Sequence, residues 1–168
     1  MAKIYLKPSS RADAYPNGGD ESYWMRKIAS AVETALSRLG VCCVLEGDPP
    51  PDCGLCLYLC SHAAPAEMEA KIKGADVFYY KYSPAGRRAA EVFSACLKGL
   101  YPQPELVEAS PTAAREDLAN AKAPALLLNL CYHDNPQDEA WLVSNVDVIS
   151  AGLAKTAAEF LGVDSVDG

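Results

Sequence analysis

ALLLNLCYHDNP, residues Ala125 to Pro136, is the stretch around which the fold is organised. Pro124 leads into the apolar run Ala125 to Leu128, Leu130 and Cys131 follow, and the polar turn Tyr132, His133, Asp134, Asn135 ends it. A short apolar run bounded by turn signals reads as a strand buried on both faces, the kind found in the middle of a mostly parallel sheet. Asn129 breaks the run with an amide, and a buried amide left unpaired costs ~1–3 kcal/mol. Either it is a structural amide bonded to a neighbouring backbone, or it lies near the end of a central strand, where α/β proteins place their chemistry.

Upstream, the same alternation recurs. Lys3 to Leu6 reads as a first strand ended by Pro8 and the loop SSRADAYPNGG. Asp20 is placed as N-cap of a helix over about residues 20 to 39, with Glu21 in the first turn, where the helix dipole favours a carboxylate. Trp24, Ile28, Ala31, Val32, Ala35, Leu36 and Leu39 keep helical spacing up to Gly40. Val41 to Leu45 and Leu55 to Cys60 read as the next two strands, joined only by EGDPPPDCG. That connection is short for a crossover between parallel neighbours, so these strands are not parallel neighbours or a crossover helix has been trimmed away. Asp76 to Tyr80 makes a fourth strand, and Ser83 with Pro84 opens a helix through Leu100. A short strand is expected around Leu106 and Val107, then a helix capped by Ser110 and Pro111 through about Ala121. Asn135 and Pro136 start a short helix, and Val146 to Leu161 forms a final amphipathic one. Strands alternating with helices predict a single α/β domain over residues 1–163, a three-layer sandwich with a mostly parallel twisted sheet covered by helices on both faces. Residues 164–168 are expected to form a loose tail.

The chain has 168 residues, enough for a core without metal or disulfide staples, and half of them are apolar. A net charge of −7 without a Lys/Arg cluster argues against nucleic acid as partner, and no stretch approaches the roughly 20 apolar residues of a membrane span. The opening MAKIYLKP runs straight into a strand with no segment of signal-peptide type, so the expected location as written is the cytoplasm unless another route carries the chain out. The seven cysteines are expected to be free thiols. Cys53 and Cys56 form a CxxC without a second pair; Cys60 and His62 are the nearest further ligands, and the run LCLYLC is better explained as a core strand.

The layout gathers few polar residues at one sheet edge: the loop at residues 9 to 15, Glu21, His62 and Asn129. A catalytic zinc takes three protein ligands and an open position for water, with a carboxylate to receive the water's proton. The order of segments IYLKPSS, GGDESYWM, CSHAAPAE, DVFYYKYSPAGRRAAE, AKAPALLLN and YHDNPQDEAWL resembles the zinc-dependent N-acetylmuramoyl-L-alanine amidases, over nearly the whole chain. Those enzymes cut the bond between the lactyl group of muramic acid and the first alanine of the peptidoglycan stem. The resemblance implies that Glu21 matches a Glu ligand and His62 the second His ligand. The first His is absent, which leaves Asp13 as the nearest oxygen ligand, and the catalytic Glu is replaced by Asn129. It also implies that the connection at residues 46 to 54 is shorter than in relatives, with one wall of the site missing. His133 falls in the HDNP turn and reads as a structural turn residue.

Two functional expectations follow. In the first, the chain is a catalytically degenerate amidase that binds a peptidoglycan fragment or regulates a cell-wall enzyme, with Tyr80 and Tyr82 lining the groove and zinc weakly held or absent. In the second, it is an active zinc hydrolase using Asp13, Glu21 and His62, since zinc accepts carboxylate oxygen.

Overall fold

A computed structural model describes residues 1–163; the expected tail at 164–168 lies outside the described residues. The strands are β1 (Lys3–Pro8), β2 (Cys42–Val44), β3 (Leu55–His62), β4 (Ala75–Tyr80), β5 (Val107–Thr112) and β6 (Ala125–Tyr132). The helices are α1 (Glu21–Arg38), α2 (Pro84–Leu100), α3 (Glu116–Ala119), α4 (Pro136–Ser144) and α5 (Val146–Phe160). The six strands form one sheet in the order β2-β1-β3-β6-β4-β5. Every ladder is parallel except β4 with β6. This is the expected α/β architecture with a mostly parallel sheet. The short 46–54 connection is resolved by topology: β1 lies between β2 and β3, so they are not neighbours.

Caps set the helix starts as the sequence predicts. Asp20 accepts the Tyr23 N–H at 2.7 Å, Ser83 accepts that of Gly86 at 2.9 Å with Pro84 next to it, and Asn135 accepts those of Gln137 and Asp138. The turn before α1 requires Gly19: its φ is +77°, and a Cβ there would stand 2.7 Å from Trp24 Nε1.

One expected helix is corrected. Ser110 and Pro111 lie in β5, which runs to Thr112, and α3 spans only Glu116–Ala119. The Ser-Pro pair that signals a helix start is equally at home on an edge strand, where the missing proline N–H costs no ladder bond, and β5 is the sheet edge.

The sheet has two unequal sides. On the helical face, Met25, Ile28, Phe93, Leu97, Ile149 and Leu153 from α1, α2 and α5 are fully buried against Leu57, Leu126 and Leu128. The other, thin face is covered by Leu118 of α3 and by loops, over Tyr5, Cys56, Cys60 and Leu127. Alternation sorts the strand residues between them: Leu57 and Leu59 go to the helical face, Cys56 and Cys60 to the thin one. This alternation breaks once. Cys60 pairs with Asn129 but His62 pairs with Tyr132, so β6 carries one extra residue, a bulge. Leu130 and Cys131 consequently both pack on the helical face.

Candidate functional site

The bulge decides what meets at the carboxyl end of the central strands. Without it, strict alternation from Asn129 would send His133 to the thin face; the extra residue turns it to the helical one. There its ring, 3% exposed, stacks on Tyr15 with centroids 5.0 Å apart. Its Nδ1 lies 2.8 Å from Ser61 Oγ, which also accepts the Tyr15 hydroxyl at 2.8 Å. Glu21 enters from the first turn of α1, fully buried, with Oε2 3.4 Å from the Ser61 N–H and Oε1 without any hydrogen-bond partner. Asp13 is held beside it by the backbone: the Glu21 N–H donates to the Asp13 carbonyl and that of Ser22 to the Arg11 carbonyl, both at 2.9 Å. The loop is tied down further by Asn17, whose N–H and amide donate to the buried Glu139 carboxylate at 2.7 Å each. Ligand atoms of Asp13, Glu21 and His133 all lie within 4.8 Å of one another, the one such group of His, Cys, Asp and Glu among the described residues.

The donor set suits a divalent cation. Zinc takes imidazole nitrogen and carboxylate oxygen, and a buried carboxylate oxygen without a partner is the kind of group a cation satisfies. Of the residues anticipated as ligands, the fold brings Asp13 and Glu21 together and places His62 elsewhere. His133, read as a turn residue, is the histidine whose ring nitrogen comes within 4.8 Å of the Asp13 and Glu21 carboxylates. The turn chemistry itself belongs to its neighbours: Asp134 accepts the Ala64 and Ala70 N–H groups, and Asn135 caps α4.

His62 lies on the thin face, Nε2 3.5 Å from Cys60 Sγ and its ring 6.4 Å from that of Phe78. Burial, together with the nearby Arg11, His133 and Arg115, pushes its pKa below the ordinary 6.5, so the ring is neutral at pH 7. Asn129 faces the same side, across the ladders from Cys60 and Asp76. It is fully buried, and neither amide atom meets a partner in hydrogen-bond geometry. Burial raises the Asp76 carboxyl, and the adjacent Asn129 amide partly offsets this. Beside these residues runs an open groove of about 650 Å³, lined by Lys7, Arg11, Tyr58, His62 and Arg115, with the short loop Asp48 to Pro51 along it. Arg11 joins the two sites, because its guanidinium lines the groove and pairs with Asp13 at 3.0 Å. Sequence reasoning missed Arg11 and Arg115, isolated basic residues in loops that only the fold draws together. Tyr80 packs in the thin-face core and Tyr82 is 68% exposed, their rings 5.5 Å apart; neither lines the groove.

The seven cysteines are unpaired. Cys53 and Cys56 sulfurs lie 3.6 Å apart, and burial pushes the Cys56 thiol up to about 12, away from the thiolate a metal or redox site uses.

No family model matches the sequence, and neither does any curated protein. Solved structures do match. The CwlD amidase from Clostridioides difficile, in complex with the GerS lipoprotein, superposes with a TM-score of 0.82 at 13% identity, over 98% of this chain and 100% of that one. The catalytic domain of CwlV, an N-acetylmuramoyl-L-alanine amidase from Bacillus (Paenibacillus) polymyxa var. colistinus, gives 0.79 at 17% identity, over 98% and 100%. The N-acetylmuramoyl-L-alanine amidase AmiC2 of Nostoc punctiforme gives 0.78 at 15% identity, over 96% and 97%. Over essentially its full length, the chain has the fold of the N-acetylmuramoyl-L-alanine amidase catalytic domains.

Proposed function

We propose that this protein works in peptidoglycan metabolism as a binding or regulatory protein on an amidase scaffold, without a competent general base. The observation that carries the reading is Asn129. It stands where the resemblance puts the catalytic Glu, fully buried in β6, and an amide does not accept a proton at neutral pH. Loss of a positioned general base costs ~10²–10⁴ in rate. The groove on the same face, which His62 lines, supports retained binding. Lys7, Arg11, Arg115 and Lys122 line the cleft together with Asp48 and Asp117; Arg11 pairs with Asp13 and Arg115 with Asp117, so Lys7 and Lys122 carry the positive charge left to meet a carboxylate of a peptide stem. A cation held by Asp13, Glu21 and His133 would supply a Lewis acid on the helical face; Asn129 would still be no base for it.

A second reading, an active hydrolase with an altered ligand set, draws support from the Asp13, Glu21 and His133 group. A cell-wall protein is the other class of ligand for the groove; the C. difficile CwlD amidase was solved with a lipoprotein. Among the described residues no helix is long and apolar enough to cross a membrane.

Titration with purified muropeptides, followed by mass spectrometry of the mixture, tests the reading. Saturable binding weakened by Lys7→Ala and by Lys122→Ala, with no stem peptide released, is expected. Chelator-sensitive release of stem peptide would instead establish the hydrolase, and no binding by any muropeptide would overturn the groove's assignment.

A further inference from the structure

We propose that the groove continues past Lys122 into an extension subsite between the carboxyl end of β4 and the start of α2, where Lys81 and Arg88 take the carboxylates of the next unit of a linear, anionic peptidoglycan strand. This subsite rests on the groove's peptidoglycan reading, which it carries from a single muropeptide to a strand of them.

The subsite is a cleft of about 420 Å³, lined among others by Tyr79, Lys81, Tyr82, Arg87, Arg88 and Glu91. None of these residues lines the groove. Its charge is the first observation. Glu91, the one carboxylate in the lining, is matched by Arg87 at 3.3 Å, and Lys81 and Arg88 have no ion pair among the described residues. Two uncompensated cations therefore meet at one cleft of a chain whose net charge is −7, and they draw an anion there.

The second observation is order. The Lys81 ammonium lies over the Tyr82 ring, 4.9 Å from its centroid, and that ring meets Tyr80 in a T-shaped contact at 5.5 Å. A cation held in place beforehand loses less side-chain freedom on binding. Arg88 adds a planar fork that meets a carboxylate through two parallel hydrogen bonds.

The third is position. β4 runs antiparallel to β6 with Tyr79 opposite Leu126, so the chain leaves β4 at the edge of the sheet where it enters β6. Lys81 and Lys122 thus share that edge. Tyr80 packs in one cluster with Ala121 and Ala123, which line the groove beside Lys122. Tyr79 belongs to the helical face and Tyr80 to the thin one, so a ligand leaving the groove at Lys122 turns over the edge to reach Lys81 and Arg88. The groove, at about 650 Å³, has the volume of a site for one small ligand, and a molecule that fills both places is longer than one unit.

The test is titration of the full chain with monomeric muropeptide and, separately, with short glycan-linked oligomers whose stem carboxylates are free. The oligomers are expected to bind at least ~10-fold more tightly, short of the ~10²–10⁴ of two strong linked sites because exposed charges are screened, and the gain should shrink with added salt. The double substitution Lys81→Ala, Arg88→Ala should erase the gain while monomer affinity and melting temperature stay unchanged, since both side chains are exposed. Glu91→Gln should enlarge it by releasing Arg87, and oligomers with amidated stems should bind like the monomer. Equal affinity for monomer and oligomer, or a gain that survives in the double variant or with amidated stems, would overturn the extension and leave the groove reading standing. Monomer binding lost in the double variant would move the ligand out of the groove and overturn both. Absence of binding by any fragment would remove the groove reading and the extension with it.

Discussion

On the helical face the sheet is sealed by three helices, and the polar groups it holds, Glu21, Ser61 and His133, sit inside the seal and touch one another. On the thin face a single-turn helix and loops leave a groove open, His62 lines it, and Asn129 lies buried on the same side with both amide atoms unpartnered. The same strand ends feed both sides. Neighbouring residues, Ser61 and His62 in β3 or Tyr132 at the end of β6 and His133 just after it, are divided between two environments by the parity of a pleat. The lesson is that a ligand position on a strand is defined by its face before it is defined by its residue type, and one bulge can exchange which histidine is available.

The largest effect should come from breaking the seal. Phe93→Ala on the helical face should cost ~3–5 kcal/mol by urea denaturation, because a fully buried ring leaves a cavity. Leu118→Ala on the thin face should cost clearly less, since loops can settle into the space. Equal costs would mean that the two sides are packed alike.

Asn129 sharpens the contrast in a second way. Asn129 has no partner in hydrogen-bond geometry, so an apolar group of similar size removes a desolvation cost of ~1–3 kcal/mol but also the polar neighbour of the Asp76 carboxyl, and Asn129→Leu should stabilise the protein by less than that cost. Asn129→Glu should destabilise it and should not by itself bring about muropeptide cleavage, because the candidate cation ligands lie on the other face. If Asn129→Leu destabilised instead, the amide would be a bonded structural element.

A smaller effect distinguishes the two histidines by pH. His62 has a folded pKa below its ordinary 6.5, through burial first and then the charges of Arg11, His133 and Arg115. Below 6.5 the unfolded chain takes up a proton that the folded chain resists. Its contribution is therefore intact above that value and is lost as pH falls toward the folded pKa. His62→Gln should flatten the stability profile over this window, measured by chemical denaturation at a series of pH values. An unchanged slope would place the ring in a more solvated setting than the groove wall.

The smallest change is expected from Arg11→Ala. The Arg11–Asp13 pair is exposed, with side chains 65% and 38% accessible, and such pairs contribute ~0.2–1 kcal/mol. Stability should barely move, while zinc affinity rises because Asp13 is released from its competitor.

Much of the fold was legible because its signals are local. Asp20, Ser83 and Asn135 announce their helices by capping chemistry, and the apolar run of β6 announces a central strand. Ser110–Pro111 misled because the same dipeptide fits a helix start and an edge strand, and only the order of strands tells them apart. Two of the three clustered residues, Glu21 and Asp13, were named beforehand through the resemblance to the amidase family, and the structure brings them within 4.8 Å of each other. His133 was hidden for a geometric reason. Its face depends on one unpaired residue in the β3–β6 ladder, a property of two strands together that neither strand's sequence carries.

The chain has only two histidines, so their imidazole nitrogens report directly on the division of the two faces. Nitrogen-15 spectra of the two rings should be recorded while zinc chloride and, in a separate sample, a muropeptide are added. The account predicts that zinc shifts the His133 ring and leaves His62 in place, and that muropeptide shifts His62 and leaves His133 in place. Zinc acting on His62, or either ligand moving both rings together, would contradict it.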